Sequence, residues 1–406
     1  MKKVQIAVLV VLFSCTFTVF GHTAPATKYD QYKIGINQAL SGPFSLSGQA
    51  YLFSMERAIN EINQAGGIDG VPMKLIAEDH KGKNEQALSN LVKMATIDKV
   101  PVSIMGFTGP MMVCAKPAEE YGMLLFNHAA GMTGLEKSIG KNSFHIMANG
   151  AWDLYVGLYY AIKELKLKRI GVAWSNYEEG LLSRNMIKTI VPKLGGSVVG
   201  DESFPLGNQD FSAYIPKAKT WKADAIYYIG ALEWIYFKDA YDLKLKVQQM
   251  GKAVTMAFPE LITIYGKACE GNLWIGAETY GPWLTEKGRA YREAFKEKFK
   301  FYPAFIDQNL YDFPYLMRDL ILHAKKAGGD YYTADRLRAA LLELCGNRDY
   351  KLATGTSFKL DPKTGFAVYP FVIYRTTYNP ETKEYYYNVV KSYTMEETMA
   401  IRKAGE

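Results

Sequence analysis

Residues 34–79 read IGINQALSGPFSLSGQAYLFSMERAINEINQAGGIDGVPMKLIAED, and this stretch decides the fold. Ile34 to Leu40 is an apolar run of strand length, closed by the turn residues Ser41, Gly42 and Pro43. Tyr51, Met55, Ala58, Ile59 and Ile62 then recur at intervals of three and four. Glu56, Arg57, Asn60, Glu61 and Gln64 fall on the opposite face, which is the pattern of an amphipathic helix. Gly66, Gly67 and Gly70 stop that helix, and Met73 to Glu78 supplies a second strand. The result is one βαβ unit, the building block of a parallel sheet. Ser41, Gly42, Ser45, Ser47 and Gly48 leave backbone N–H groups open at the positive end of the helix, where a carboxylate or phosphate is stabilised. The plainer reading of Ser45 or Ser47 is a helix cap.

The alternation continues outward from this unit. Helices are expected from Asn84 to Ile97 and Met111 to Tyr121, with strands at Val102 to Met105 and Leu124 to Phe126. The rhythm restarts after Trp152, with strands at Arg169 to Trp174, Val198 to Ser203, Ala225 to Ile229, near Val254 and at Asn272 to Gly276, separated by helices. Lys287 to Phe299, Ile306 to Ala327 and Thr333 to Leu344 read as helices. Phe371 to Tyr378 and Tyr385 to Val390 read as a late antiparallel hairpin around Asn379-Pro380-Glu381. The expected fold class is α/β, with two lobes, each a mostly parallel sheet flanked by helices.

Composition bounds the role. Lys2 and Lys3, the apolar run Val4 to Phe20 and the small residues Ala24 and Ala26 form a secretory signal peptide over residues 1–26, so the mature chain is expected to be exported. Phe13 before Cys15 argues against a lipidated cysteine. The formal charge of +7 is scattered among interleaved acids, which fits solvated helix faces and not a nucleic-acid surface. Beyond the leader stand Cys114, Cys269 and Cys345. Export permits a disulfide, and Cys269 with Cys345 is one pairing that spacing leaves open. With no CxxC and no Cys/His ligand spacing, no metal or other cofactor is expected.

The motif SGPFSLSGQ followed by AINEINQAGGIDGVPMKLIAED resembles the opening of the leucine/isoleucine/valine-binding proteins, solute receptors of ABC importers with the type I periplasmic-binding fold. The resemblance implies two lobes joined by three hinge crossings, near Asn149, Tyr280 and Thr356. The lobes would then comprise residues 30–148 with 281–355, and 149–280 with 356–406. Ligand is expected between them, outside the carboxyl ends of the strands.

Three loops of the first lobe are the expected contacts. They carry Ser41 and Phe44; Phe107, Thr108, Gly109 and Pro110; and Asn127, His128, Ala129, Ala130 and Gly131. The family grips its ligand carboxylate there with hydroxyls and N–H groups. Gly109-Pro110 and Ala130-Gly131 lack two of those hydroxyls, leaving Thr108, Ser41, the backbone at Gly131 or a charged His128 as substitutes. From the second lobe, Tyr177 and Pro259-Glu260 match the family's tyrosine and the carboxylate that pairs with a ligand ammonium, whereas Leu232 stands where the family has tyrosine.

The expected function is the extracytoplasmic binding component of an ABC importer, a periplasmic monomer that closes on a branched-chain or other hydrophobic amino acid and delivers it to a membrane permease and its ATPase. The alternatives are an aromatic or aliphatic acid lacking an ammonium, or a receptor that signals without transport. An enzyme would need a nucleophile elbow or a phosphate loop, and neither G-x-S-x-G nor G-x-x-x-x-G-K-[ST] occurs.

Overall fold

The computed structural model describes residues 28–42, 45–128, 140–148, 150–230, 232–253, 259–277 and 284–406. The expected signal peptide, Phe44, Ala129 to Gly131, and the expected hinge positions Asn149 and Tyr280 therefore lie outside the described residues.

The opening unit is β1 (Tyr32–Gln38), α1 (Ser45–Gln64) and β2 (Met73–Asp79), with β1 and β2 parallel from Tyr32 beside Met73 to Gln38 beside Asp79. There follow α2 (Asn84–Lys93), β3 (Val102–Met105), α3 (Thr108–Glu120), β4 (Leu124–Asn127) and β5 (Ser143–Ala148). The chain then builds α4 (Gly150–Tyr159), β6 (Arg169–Asn176), α5 (Glu178–Lys193), β7 (Ser197–Pro205), α6 (Ile215–Thr220), β8 (Ala225–Ile229), α7 (Glu233–Asp242), β9 (Gln248–Lys252), α8 (Pro259–Cys269) and β10 (Leu273–Ala277). Next come α9 (Glu286–Phe299), α10 (Phe305–Lys326), α11 (Ala334–Cys345), β11 (Tyr350–Lys351), β12 (Ser357–Leu360), β13 (Phe366–Val368), β14 (Phe371–Asn379), β15 (Glu384–Tyr393) and α12 (Met395–Gly405).

Two sheets result. One runs β11-β12-β13-β5-β4-β3-β1-β2, the other β15-β14-β10-β9-β8-β6-β7. Apart from the β11–β13 and β14–β15 edges the strands are parallel, and helices cover the sheets. The expected hairpin is present, its strands reaching Asn379 and starting again at Glu384. In each sheet the chain builds one edge and then crosses to the other side of its starting strand, which leaves a crevice between β1 and β3 and another between β6 and β8. Open α/β sheets bind small molecules at such switch points.

One boundary differs from the sequence reading. β12 and β13 return to the first sheet, β13 lying parallel to β5, so the last passage to the second sheet falls at Tyr369 and Pro370 and not near Thr356. Tyr369 fixes that passage, since its buried hydroxyl donates to the Ile146 carbonyl at 2.6 Å. Thr356 is buried beneath α10, where its hydroxyl accepts from Gln308 Nε2 at 2.9 Å.

The cysteines decide a pairing that the sequence leaves open. Cys114, Cys269 and Cys345 are all buried free thiols in three separate apolar clusters, so Cys269 and Cys345 do not pair. Burial pushes each thiol up to about 12. The thiolate, which is the reactive form, is therefore suppressed.

Candidate functional site

At the carboxyl ends of β1 and β2, Asp79 organises the first loop. Its Oδ1 accepts the Leu40 and Lys81 N–H groups at 2.9 and 2.8 Å, and its Oδ2 accepts the Ser41 hydroxyl at 2.5 Å. Ser41 thus spends its proton inside the protein. Gly48, in the first turns of α1, explains how closely the helix meets that loop, because a Cβ there would stand 2.2 Å from the Ala39 carbonyl oxygen. Gly180 does the same in the second lobe, where a Cβ would meet the Ser175 carbonyl oxygen at 1.9 Å.

Phe107, Thr108, Gly109 and Pro110 are not a free loop. Thr108 to Pro110 form the first turn of α3, and Phe107 caps it with φ of 65°, a left-handed conformation that is costly for a bulky side chain. The N–H groups of Thr108 and Gly109 open at the helix start, while Pro110 has none to offer. The Phe107 ring stands edge-on to His80 at 5.7 Å.

Asn127 ends β4 and is buried. His128 follows it and is fully buried, with its ring edge-on to Tyr51 at 4.9 Å and Nε2 at 3.1 Å from Gln38 Nε2. Burial, aided by the nearby His80, pushes the His128 ring down to about 3. The charged donor expected from the sequence is therefore a neutral one: water is excluded, and among the described residues no anion acts on the ring to stabilise an imidazolium. His80, which the sequence reading passed over, is equally buried and likewise lowered by burial.

In the second lobe Tyr177 caps α5 and donates to Glu179 Oε2 at 3.3 Å. Glu179 also pairs with Lys252, the last residue of β9, which is only 8% exposed. Lys252 interacts electrostatically with two further carboxyl groups, those of Asp153 and Glu233. Burial raises Asp153 to about 7 and Glu233 to about 8, with Lys252 opposing and Glu179 reinforcing both shifts. Glu233 Oε2 is buried with no hydrogen-bond partner among the described residues. Although burial alone would lower Lys252, the three carboxyl groups raise it. Leu232 is half-buried and caps α7 in a left-handed conformation, φ 71°. Glu260 lies in the first turn of helix α8 and not in a loop, and its side chain is outside the described residues.

The strand ends thus bring two sets together: neutral donors in the first lobe, and one ammonium among three carboxyl groups in the second. Sequence reasoning missed His80, Lys252 and Asp153. A lone acid in the apolar run Ala151-Trp152-Asp153-Leu154-Tyr155-Val156 was the available signal for the last.

The family model for periplasmic binding proteins matches residues 31–379. The chain belongs to the periplasmic binding protein family. It is of the type I, Leu/Ile/Val-binding-protein-like kind, and such proteins bind solutes for transporters and are not enzymes. It is 25% identical over 255 residues to Leu/Ile/Val-binding protein homolog 3 of Brucella melitensis, a match covering 62% of this chain and 69% of that one. Other curated relatives are matched over as little as 53% of their length.

Among solved structures it superposes on the leucine-, isoleucine-, valine-, threonine- and alanine-binding protein of Brucella ovis in its closed conformation, with a TM-score of 0.77, 19% identity, and 91% and 97% of the two chains covered. A solute-binding protein of an ABC transporter from Rhodopseudomonas palustris in complex with 3,4-dihydroxybenzoic acid gives 0.76, at 20% identity over 90% and 98%. These likenesses bear out the two-lobed α/β fold of the periplasmic-binding-protein kind. Among the described residues, no helix is long and apolar enough to cross a membrane.

Proposed function

We propose that this periplasmic binding protein is the exported, monomeric substrate-binding component of an ABC importer, and that it closes on a small hydrophobic amino acid, handing it to a permease driven by an ATPase. The observation that carries the ligand class is the second lobe's excess of carboxyl groups: Glu179, Asp153 and Glu233 around the single ammonium of Lys252. A second cation is welcome there, because a buried ammonium needs a buried anion opposite it. Glu260, at the mouth of α8, is the matching family position and the proposed direct partner of the ligand ammonium. The other proposed contacts are Thr108, Gly109 and the backbone about Gly131 for the carboxylate, with Phe44, Phe107, Tyr177 and Leu232 enclosing the side chain.

A thermal-shift comparison tests the ligand class. Leucine, isoleucine, valine and phenylalanine are set against 4-methylpentanoate, which is leucine without its ammonium, and against 4-hydroxybenzoate. A ligand at a hundred times its dissociation constant adds about 2.7 kcal/mol to stability. At least one amino acid should raise the midpoint while 4-methylpentanoate does not. A rise with 4-hydroxybenzoate alone sinks the amino-acid reading in favour of an acid such as the R. palustris protein holds.

A further inference from the structure

The hydrogen bonds around the two buried histidines fix where their protons are. The Ala39 N–H donates to Gln38 Oε1 at 3.0 Å, so the amide's NH2 end is the one that faces His128 Nε2. An NH2 group has only protons to offer, so Nε2 is the lone-pair nitrogen and the ring proton sits on Nδ1. His80 is oriented in the same way: the Gly82 N–H donates to its Nδ1 at 3.0 Å, leaving the proton on Nε2. Both remaining N–H groups, His128 Nδ1 and His80 Nε2, are buried with no partner among the described residues, and both rings are 0% exposed.

Two orphaned buried donors in one place cost free energy unless something accepts from them. The rings belong together. His80 follows β2 and His128 follows β4, so they flank the crevice between β1 and β3, with Phe107 against one and Tyr51 against the other. They are near enough for His80 to act electrostatically on His128. Asp79, the acid that acts on His80, turns both of its oxygens to the first loop.

We propose that His80 and His128 are ligand-binding residues: a pair of neutral imidazole N–H donors that receives the ligand's carboxylate at the first lobe's switch point, in place of the absent hydroxyls. The inference rests on the reading of the chain as a receptor for a carboxylate-bearing solute, and holds whether or not the solute also has an ammonium. Neutral donors suit this task, because they hydrogen-bond a carboxylate without a second buried charge that would hold the ligand by attraction alone.

The test uses the full mature chain with 15N-labelled histidine. L-leucine, 4-methylpentanoate and 4-hydroxybenzoate are each titrated, following the imidazole nitrogens by NMR and the affinity by calorimetry, with leucinamide and 4-hydroxybenzamide as partners lacking the carboxylate. At least one carboxylate should shift the His80 and His128 ring signals and leave those of half-buried His323, paired with Glu343 of α11, unmoved.

For the carboxylate that binds, His128→Leu and His80→Leu should each weaken affinity about tenfold or more, the worth of one hydrogen bond to a charged group. The corresponding amide should bind the variants as it binds the native protein. His128→Asn and His80→Gln, which put an amide N–H near the lost Nδ1–H and Nε2–H, should recover most of the loss and also guard against a variant that fails to fold. If only 4-hydroxybenzoate gives this pattern, the amino-acid reading falls and the histidine site stands. The inference is overturned if no carboxylate moves the two rings, or if acid and amide lose affinity equally.

Discussion

Lys252→Met should cost the second lobe about 3 to 5 kcal/mol of stability, the range for breaking a buried ion pair by removing one partner. Lys252 is the cation that offsets both Asp153 and Glu233, and its pairing with Glu179 is direct. The loss should also depend on pH. In the native protein Asp153 rises from its ordinary 3.8 to about 7 and Glu233 from 4.5 to about 8. The folded state therefore holds protons that the unfolded chain releases, and these two groups lend stability that is complete below about pH 4 and is lost as pH climbs through 7 to 8.

Without Lys252 both carboxyl groups stay protonated to still higher pH and forgo the attraction they enjoy when ionised beside it. Urea unfolding should show the variant's deficit to be larger at pH 8 than at pH 5. An equal deficit at both, or one under about 1 kcal/mol, means that the four groups do not act as a unit.

Glu260→Gln should weaken binding of a hydrophobic amino acid by about 2 to 5 kcal/mol, as expected when one member of a buried charge pair is neutralised. Protein stability without ligand should barely move, because Glu260 lies in the first turn of α8 and its loss removes one favourable charge at a helix start, worth under about 1 kcal/mol. Calorimetry with leucine on native and variant protein reads this directly. Unchanged affinity assigns the ammonium to Glu179, Asp153 and Glu233 instead, and removes Glu260 from the site.

The sequence made the parallel units legible because their signals are local: α1 shows its buried face as Met55, Ala58, Ile59 and Ile62, and the β14–β15 hairpin shows its turn. It hid β13, which is three residues long and takes its place only by pairing with β5 more than two hundred residues away. β5 itself, Ser143 to Ala148, carries His145 in mid-strand and lacks a clean alternation. α12 has a capping box at Thr394 and Glu397 that was readable and went unread.

The site was half legible. Phe107, His128, Tyr177 and Leu232 do stand at strand ends, but what each contributes is set by neighbours distant in sequence. His128 is neutral because Gln38 and His80 face it in a dry pocket, and Ser41 is spent on Asp79. Lys252 escaped notice because the strand that carries it ends at 252, whereas the apolar residues drew the expectation to Val254.

The central claim is a two-lobed receptor that closes on its ligand. A ligand touching the strand ends of both sheets favours the closed arrangement over the open one by the contacts made only when the lobes meet. Small-angle scattering on the mature chain, alone and at saturating concentration of whichever amino acid binds by calorimetry, measures this. The radius of gyration should fall on binding; a radius that stays the same while calorimetry shows the site filled would contradict the account.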